Sequence, residues 1–334
     1  MKQPLTSQST PVMGAPEWTM LLTLAALWGG SFFFFKVLVQ VLPPFTVVLG
    51  RVGIAAVILN IWLAFRSDYM PTSIRTWGAF ATMGLLNNIV PFTLIVFGEA
   101  RISSGLASIL NATTPLFAIL AAHWLTANEK LTLAKIIGVT TGFVGVSILV
   151  GPDVLASLGN ESLIGEMSCL FASVSYAFAG IYGRRFKNMS PIKVATGQIT
   201  ASTVVLIPLA AIVDHPWTLP TPGVTIWGAM VGIAVLCTVV AYVLYFRILA
   251  AAGATNLLLV TFLLPISALF LGWLILGEDI SLRAFGGMAL IGIGLAVIDG
   301  RLVNASSRAL SKSLSKPSGH DHDKGGLYNE GDGI

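Results

Sequence analysis

Few residues of this chain combine useful chemistry with an apolar setting. Asn87 and Asn88 sit side by side in a long apolar run, just before Pro91. Each amide offers two donors and an acceptor, which suits the carboxylate or amine of a small solute. Interhelical hydrogen bonding is the alternative role for such amides, worth about 0.6–2 kcal/mol per bond in a bilayer. Asn111, Thr113 and Thr114 precede Pro115 in the next run, and Thr261 precedes Pro265 in a later one. A proline removes one backbone donor and frees a carbonyl one turn earlier. That carbonyl can bind solute where it lines a cavity, or the proline is simply a packing kink with hydroxyls bonding back to the helix. Arg51 stands alone among apolar residues, where a guanidinium must face inward and find a partner. It can attract anionic groups near a gate, or hold a structural pair with Glu99. Trp28, Phe32, Tyr176 and Tyr242 have ring faces for an aromatic lining or for plain packing. Gln198 and Glu166 complete the polar set, Glu166 at a run end where an interfacial position and proton carriage are the two options.

Enzyme chemistry finds no support. No metal-ligand spacing, phosphate loop or convergent Ser/His/Asp set is present, so no catalytic residue, metal or cofactor is assigned. Cys169 and Cys237 fall inside apolar runs, where thiols behave as small hydrophobes. The tail segment Gly-His-Asp-His-Asp at 319–323 is at best a weak metal ligand in a solvated stretch.

What must position the polar residues follows from composition. Of 334 residues, 55% are apolar and 10% charged, and the mean hydropathy is +0.84. Soluble domains carry about 25% charged residues. A cytosolic enzyme, a disordered chain, a nucleic-acid binder and a disulfide-stapled secreted protein are excluded. An all-α polytopic membrane protein remains. A bilayer-crossing helix needs about 20 mostly apolar residues, and ten runs meet that: 18–40, 44–65, 77–98, 102–125, 131–151, 163–183, 191–213, 225–248, 253–276 and 281–299. The runs are continuous rather than alternating, which favours helices over a barrel. Trp18, Trp77, Trp124, Trp217 and Trp227 mark run ends, as an aromatic belt does.

Residues 1–17 read as a polar N-terminal segment and 300–334 as a disordered tail. The first apolar run is too long for a signal-peptide core and is expected to be retained. Of 19 Lys and Arg residues, fifteen fall on the side of the N-terminus and three opposite, at Lys36, Arg101 and Arg283. The positive-inside rule then places both termini in the cytoplasm, in a cell inner (plasma) membrane.

The chain also repeats itself. Residues 101–118 resemble 249–268, aligning Pro115 with Pro265, and Glu129-Lys-Leu-Thr-Leu pairs with Glu278-Asp-Ile-Ser-Leu. Gly138 and Gly145 pair with Gly287 and Gly294; upstream, Trp28 and Lys36 align with Tyr176 and Arg184, and Arg51 with Gln198. Two repeats, 18–151 and 163–299, of five spans each result. Five is odd, so the second is inverted, the construction of many secondary transporters.

Leu-Trp-Gly-Gly-Ser-Phe (27–32), Arg51, the Pro115 and Pro265 helices and the Glu129 and Glu278 turns together resemble the EamA family of the drug/metabolite transporter superfamily. The resemblance spans about 18–299. It implies ten helices around a central cavity, lined by spans one to four and six to nine, with spans five and ten as scaffold or homodimer contact. It also implies a carrier of small solutes, amino acids or related amphipathic metabolites, exported by alternating access. Expected solute contacts are among Asn87, Asn88, Asn111, Tyr176, Tyr242 and Trp28, with Arg51, Gln198 and Glu166 as gate or charge residues. A nucleoside, sugar or drug-like cargo, a lipid enzyme and a channel are the alternatives. No mid-membrane carboxylate signals proton coupling, and the glycine stripe Gly138-x-x-x-Gly142 with Gly286, Gly287, Gly292 and Gly294 suits close helix packing or dimerisation.

Overall fold

A computed structural model describes residues 13–125, 132–150, 161–257 and 259–298. Among the described residues every regular element is helical. The helices are α1 (Ala15–Val39), α2 (Pro44–Phe65), α3 (Ile74–Glu99), α4 (Ser104–Leu125), α5 (Leu133–Val150), α6 (Glu161–Gly183), α7 (Pro191–Val213), α8 (Val224–Gly253), α9 (Val260–Leu276) and α10 (Leu282–Ile298). Seven, α1–α4 and α6–α8, are long and apolar enough to cross a membrane; α5, α9 and α10 contain shorter apolar helices. Glu129 and the tail motif at 319–323 lie outside the described residues.

The burial pattern is that of a bilayer protein. Phe65, Trp124, Ile212 and Trp217 face outward, whereas Asn88, Ser173, Thr196 and Ser202 are fully buried. An apolar exterior of this kind suits a bilayer, and only neighbouring helices can satisfy the buried polar groups. Trp18, Trp124, Trp217 and Trp227 are exposed near helix ends. Proline opens α2 at Pro44 and α7 at Pro191, positions where its missing N–H costs nothing.

Packing is paired: α2 lies against α7, α1 against α8 and α9, α3 against α6 and α7, and α4 against α6 and α9. α5 packs on α10. The glycine stripe is used there, inside one chain: a Cβ on Gly145 would meet the Gly287 carbonyl, and one on Gly294 would meet the Gly142 amide nitrogen at 2.8 Å. Small faces let the two backbones approach where larger side chains would hold them apart. Gly292 has open space around it, and a Cβ on Gly286 would meet only Ile148 of α5, at an ordinary 3.9 Å.

Two helices leave α geometry midway. Residues 85–89 of α3 and 235–240 of α8 are π-helical, and they stand 150 residues apart, as Pro115 and Pro265 do. α4 is interrupted at 112–113, just before Pro115.

Candidate functional site

A cavity of about 670 Å³ lies at the centre of the helices. Side chains from α1–α4 and α6–α9 line it, and none from α5 or α10. At one end the lining reaches Phe186, Lys187, Met189 and Pro191, the α6–α7 connection; at the other it stops at Phe35, Arg51 and Ile95.

Arg51 is 5% exposed and sits at this closed end. Its Nε donates to Thr238 Oγ1 at 3.1 Å and its Nη2 to the Cys237 carbonyl at 3.5 Å. Thr238 in turn donates to the Ile233 carbonyl five residues back, so the π turn of α8 builds the acceptor that Arg51 uses. The guanidinium carbon lies 3.9 Å from the Phe92 ring centroid and 5.0 Å from that of Phe35. These rings supply π faces to a cation in a dry setting. The pair with Glu99 expected as one option is not formed: Arg51 is bound by Thr238, Cys237 and the two rings. Glu99 instead lends its backbone carbonyl to Lys36 Nζ at 2.7 Å.

The two adjacent amides separate. Asn87 lines the cavity and donates to Gln198 Oε1 at 3.1 Å, and Gln198 Nε2 donates to Tyr242 Oη at 3.5 Å. This relay joins α3, α7 and α8 across the cavity wall. Asn88 points away, fully buried, and donates to Ser202 Oγ at 3.1 Å. It joins α3 to α7 and does not line the cavity. Asn111 does line it, and its Oδ1 is buried without a hydrogen-bond partner. Trp28, Tyr176 and Tyr242 line it too, with Trp28 against Tyr245 at 5.7 Å between ring centroids and Tyr242 stacked on Phe246 at 6.0 Å. Glu166 lies outside, near the start of α6, accepting from Ser162 Oγ at 3.2 Å.

Pro115 frees the carbonyl of Asn111, and that oxygen is taken: Thr114 Oγ1 donates to it at 2.7 Å. Thr113 Oγ1 likewise donates to the Leu110 carbonyl at 2.6 Å, which also receives Ser173 Oγ of α6 at 3.1 Å. Backward bonding by hydroxyls, rather than an open carbonyl, is what α4 shows. On α9, Thr261 and Leu264 reach the cavity while Pro265 is buried behind them.

The closed end is held by three charges set on helix termini. Lys36 Nζ donates to the carbonyls of Glu99 and Ile102, at 2.7 and 2.8 Å, where α3 ends. Glu278 accepts from Ser104 N and Ser104 Oγ, both at 2.8 Å, and from Gly105 N at 3.3 Å, where α4 begins. Asp214 accepts from Thr46 N at 2.6 Å and Thr46 Oγ1 at 2.9 Å, where α2 begins. Each charge has the sign its helix dipole favours. Gly277, left-handed at φ 67°, ends α9 and turns Glu278 toward α4; Glu278 N then donates to the Gly272 carbonyl at 3.0 Å. The sequence marked Lys36 as an outer-side charge and Glu278 as a turn residue and singled out nothing at Asp214; their clasping role needed the tertiary contacts. Tyr245, Phe246 and Lys187 are further lining residues that sequence reasoning passed over.

Comparison with known proteins agrees with this architecture. The pattern of the EamA-like transporter family matches residues 17–151 and again 163–299. The uncharacterized transporter YoaV of Bacillus subtilis is 25% identical over 280 residues, covering 82% of this chain and 94% of that protein. The uncharacterized inner membrane transporter YedA of Escherichia coli is 28% identical over 283 residues, 82% of this chain and 86% of its own. A WAT1-related chloroplastic protein of Arabidopsis thaliana is 26% identical over 297 residues, 86% of this chain and 69% of that one. A solved crystal structure, 18% identical, shares the fold over 84% of this chain and 96% of its own, with a TM-score of 0.60. With its family pattern occurring twice and covering most of its length, this multi-pass membrane protein belongs to the EamA-like transporter family.

Proposed function

We propose that the chain is an alternating-access carrier that moves small amphipathic metabolites, amino acids or related solutes, across the inner membrane, with export as its working direction. The observation that carries this reading is the central cavity, open at the α6–α7 connection and clasped shut at the opposite end. All ten helices cross the membrane, both termini are cytoplasmic, and the cavity here faces the cytoplasm. Solute binds between the repeats, against Asn87, Asn111, Trp28, Tyr176 and Tyr242, with Gln198 joining Asn87 to Tyr242 and Arg51 at the closed end.

The inverted repeat supports two-state behaviour. Exchanging α1–α5 for α6–α10 turns the α3–α6 contact into α8–α1, α4–α6 into α9–α1 and α3–α7 into α8–α2, and all of these contacts occur. Two related halves packed this way have two nearly equivalent arrangements, and a small difference in solute contact shifts the population between them.

Purified protein in liposomes tests the reading. Saturable counterflow of a labelled solute found by an uptake screen over amino acids, nucleosides and sugars supports a carrier. Single-channel current steps would overturn it.

A further inference from the structure

The charge inside the cavity narrows the class of solute. Two charged side chains line the cavity, Arg51 and Lys187, and both are cations. No carboxylate among the described residues lines the cavity or pairs with Arg51. Arg51 is desolvated at the closed end, and its hydrogen bonds to Thr238 and the Cys237 carbonyl leave three of its five N–H donors without a hydrogen-bond partner. A guanidinium cannot shed its proton, so the cavity carries a fixed positive charge with no resident counter-charge. A buried charge met only by dipoles and ring faces is expensive to keep. The rest of the wall is aromatic and apolar: Trp28, Phe92, Tyr176, Tyr242 and Phe246.

Resting on the carrier reading above, we propose that the transported solute is an organic monoanion, a carboxylate on an apolar or aromatic body, with Arg51 as the residue that holds the carboxylate. The planar guanidinium fits a carboxylate edge-on with two parallel bonds. Lys187 at the mouth draws the anion in, and the rings cover its body. A cation finds no anionic partner on this wall. A zwitterion gains the carboxylate contact but leaves its ammonium only neutral acceptors such as Asn111 Oδ1, so it binds more weakly than the simple acid.

The test uses full-length protein with Cys169→Ala and Cys237→Ala, carrying Ser31→Cys as a reporter on the cavity wall. Alkylation of that cysteine is timed in the presence of four molecules that share a phenylethyl body: 3-phenylpropionate, 3-phenylpropionamide, phenylalanine and phenethylamine. The proposal expects 3-phenylpropionate to slow alkylation by about tenfold relative to the amide, the size of one charge-assisted contact. Phenylalanine should be intermediate and phenethylamine without effect. Arg51→Gln should abolish the protection, and Arg51→Lys, which keeps the charge and guards against loss of fold, should retain part of it. Equal protection by the amide or the amine overturns the proposal, as does alkylation that none of the four slows. A cysteine that no reagent reaches from either side overturns the carrier reading instead, since the cavity would then not be open.

Discussion

Asn87 and Asn88 show how one residue of spacing separates a wall from a joint. Neighbours on a helix point about 100° apart, and here one amide meets Gln198 at the cavity while the other meets Ser202 in the α3–α7 contact. Asn87→Ala is expected to lower counterflow by at least about tenfold with an unchanged melting temperature, because the relay to Gln198 and Tyr242 is lost at a solvated surface. Asn88→Ala is expected to cost about 1 kcal/mol of stability, the scale of an interhelical hydrogen bond in a membrane. Flux per folded molecule should stay near the parent value. Measuring flux and thermal denaturation on both variants checks the pair; a stable, active Asn87→Ala protein would remove that residue from the site.

The elements act through their ends and their irregular turns. The π turn at 235–240 gives Thr238 the register to accept from Arg51 while donating to Ile233. Glu278 holds the α4 N-terminus with three hydrogen bonds. Glu278→Gln keeps the shape and removes the charge, so it should weaken the clasp by about 1–2 kcal/mol. The closed end then opens about tenfold more often, read as alkylation of an Ile95→Cys reporter from the side opposite the α6–α7 connection. An unchanged rate from that side would mean the clasp does not gate. Gly277 sits at φ 67°, where any side chain is strained. Gly277→Ala should therefore cost about 1 kcal/mol and mimic Glu278→Gln in the same assay. Gly272→Ala should do so by another route, since its Cβ would press on Ser104 Oγ at 2.9 Å.

At the scale of the whole molecule, eight helices enclose the cavity and α5 with α10 stand apart from it. Damage to the α5–α10 crossing should therefore reach stability before transport. Gly294→Leu overpacks that contact and should cost about 1–3 kcal/mol. The expected signature is a lowered melting temperature in detergent, with the concentration for half-maximal counterflow unchanged in the folded fraction. A weakened solute affinity at normal stability would place α10 in the transport path.

The amino-acid sequence alone determined the membrane setting and the helical class, because hydrocarbon tolerates spanning helices only as long apolar runs. It also determined that Arg51 must turn inward and that the chain carries two similar halves, since both are written in spacing along one dimension. The tertiary structure decided what each inward residue meets. Arg51 finds Thr238 and Cys237 rather than Glu99, contacts across about 186 residues that no local pattern encodes. The glycines of α5 and α10 answer each other within one chain, although the same stripe suits a dimer equally well. Lys36 and Glu278 read only as charges on the outer side, and Asp214 not at all, until the helix ends they clasp are in place. The physical reason is common to all three: a polar group in a bilayer must be satisfied, but which partner satisfies it depends on helix packing, and packing is a property of surfaces rather than of sequence spacing.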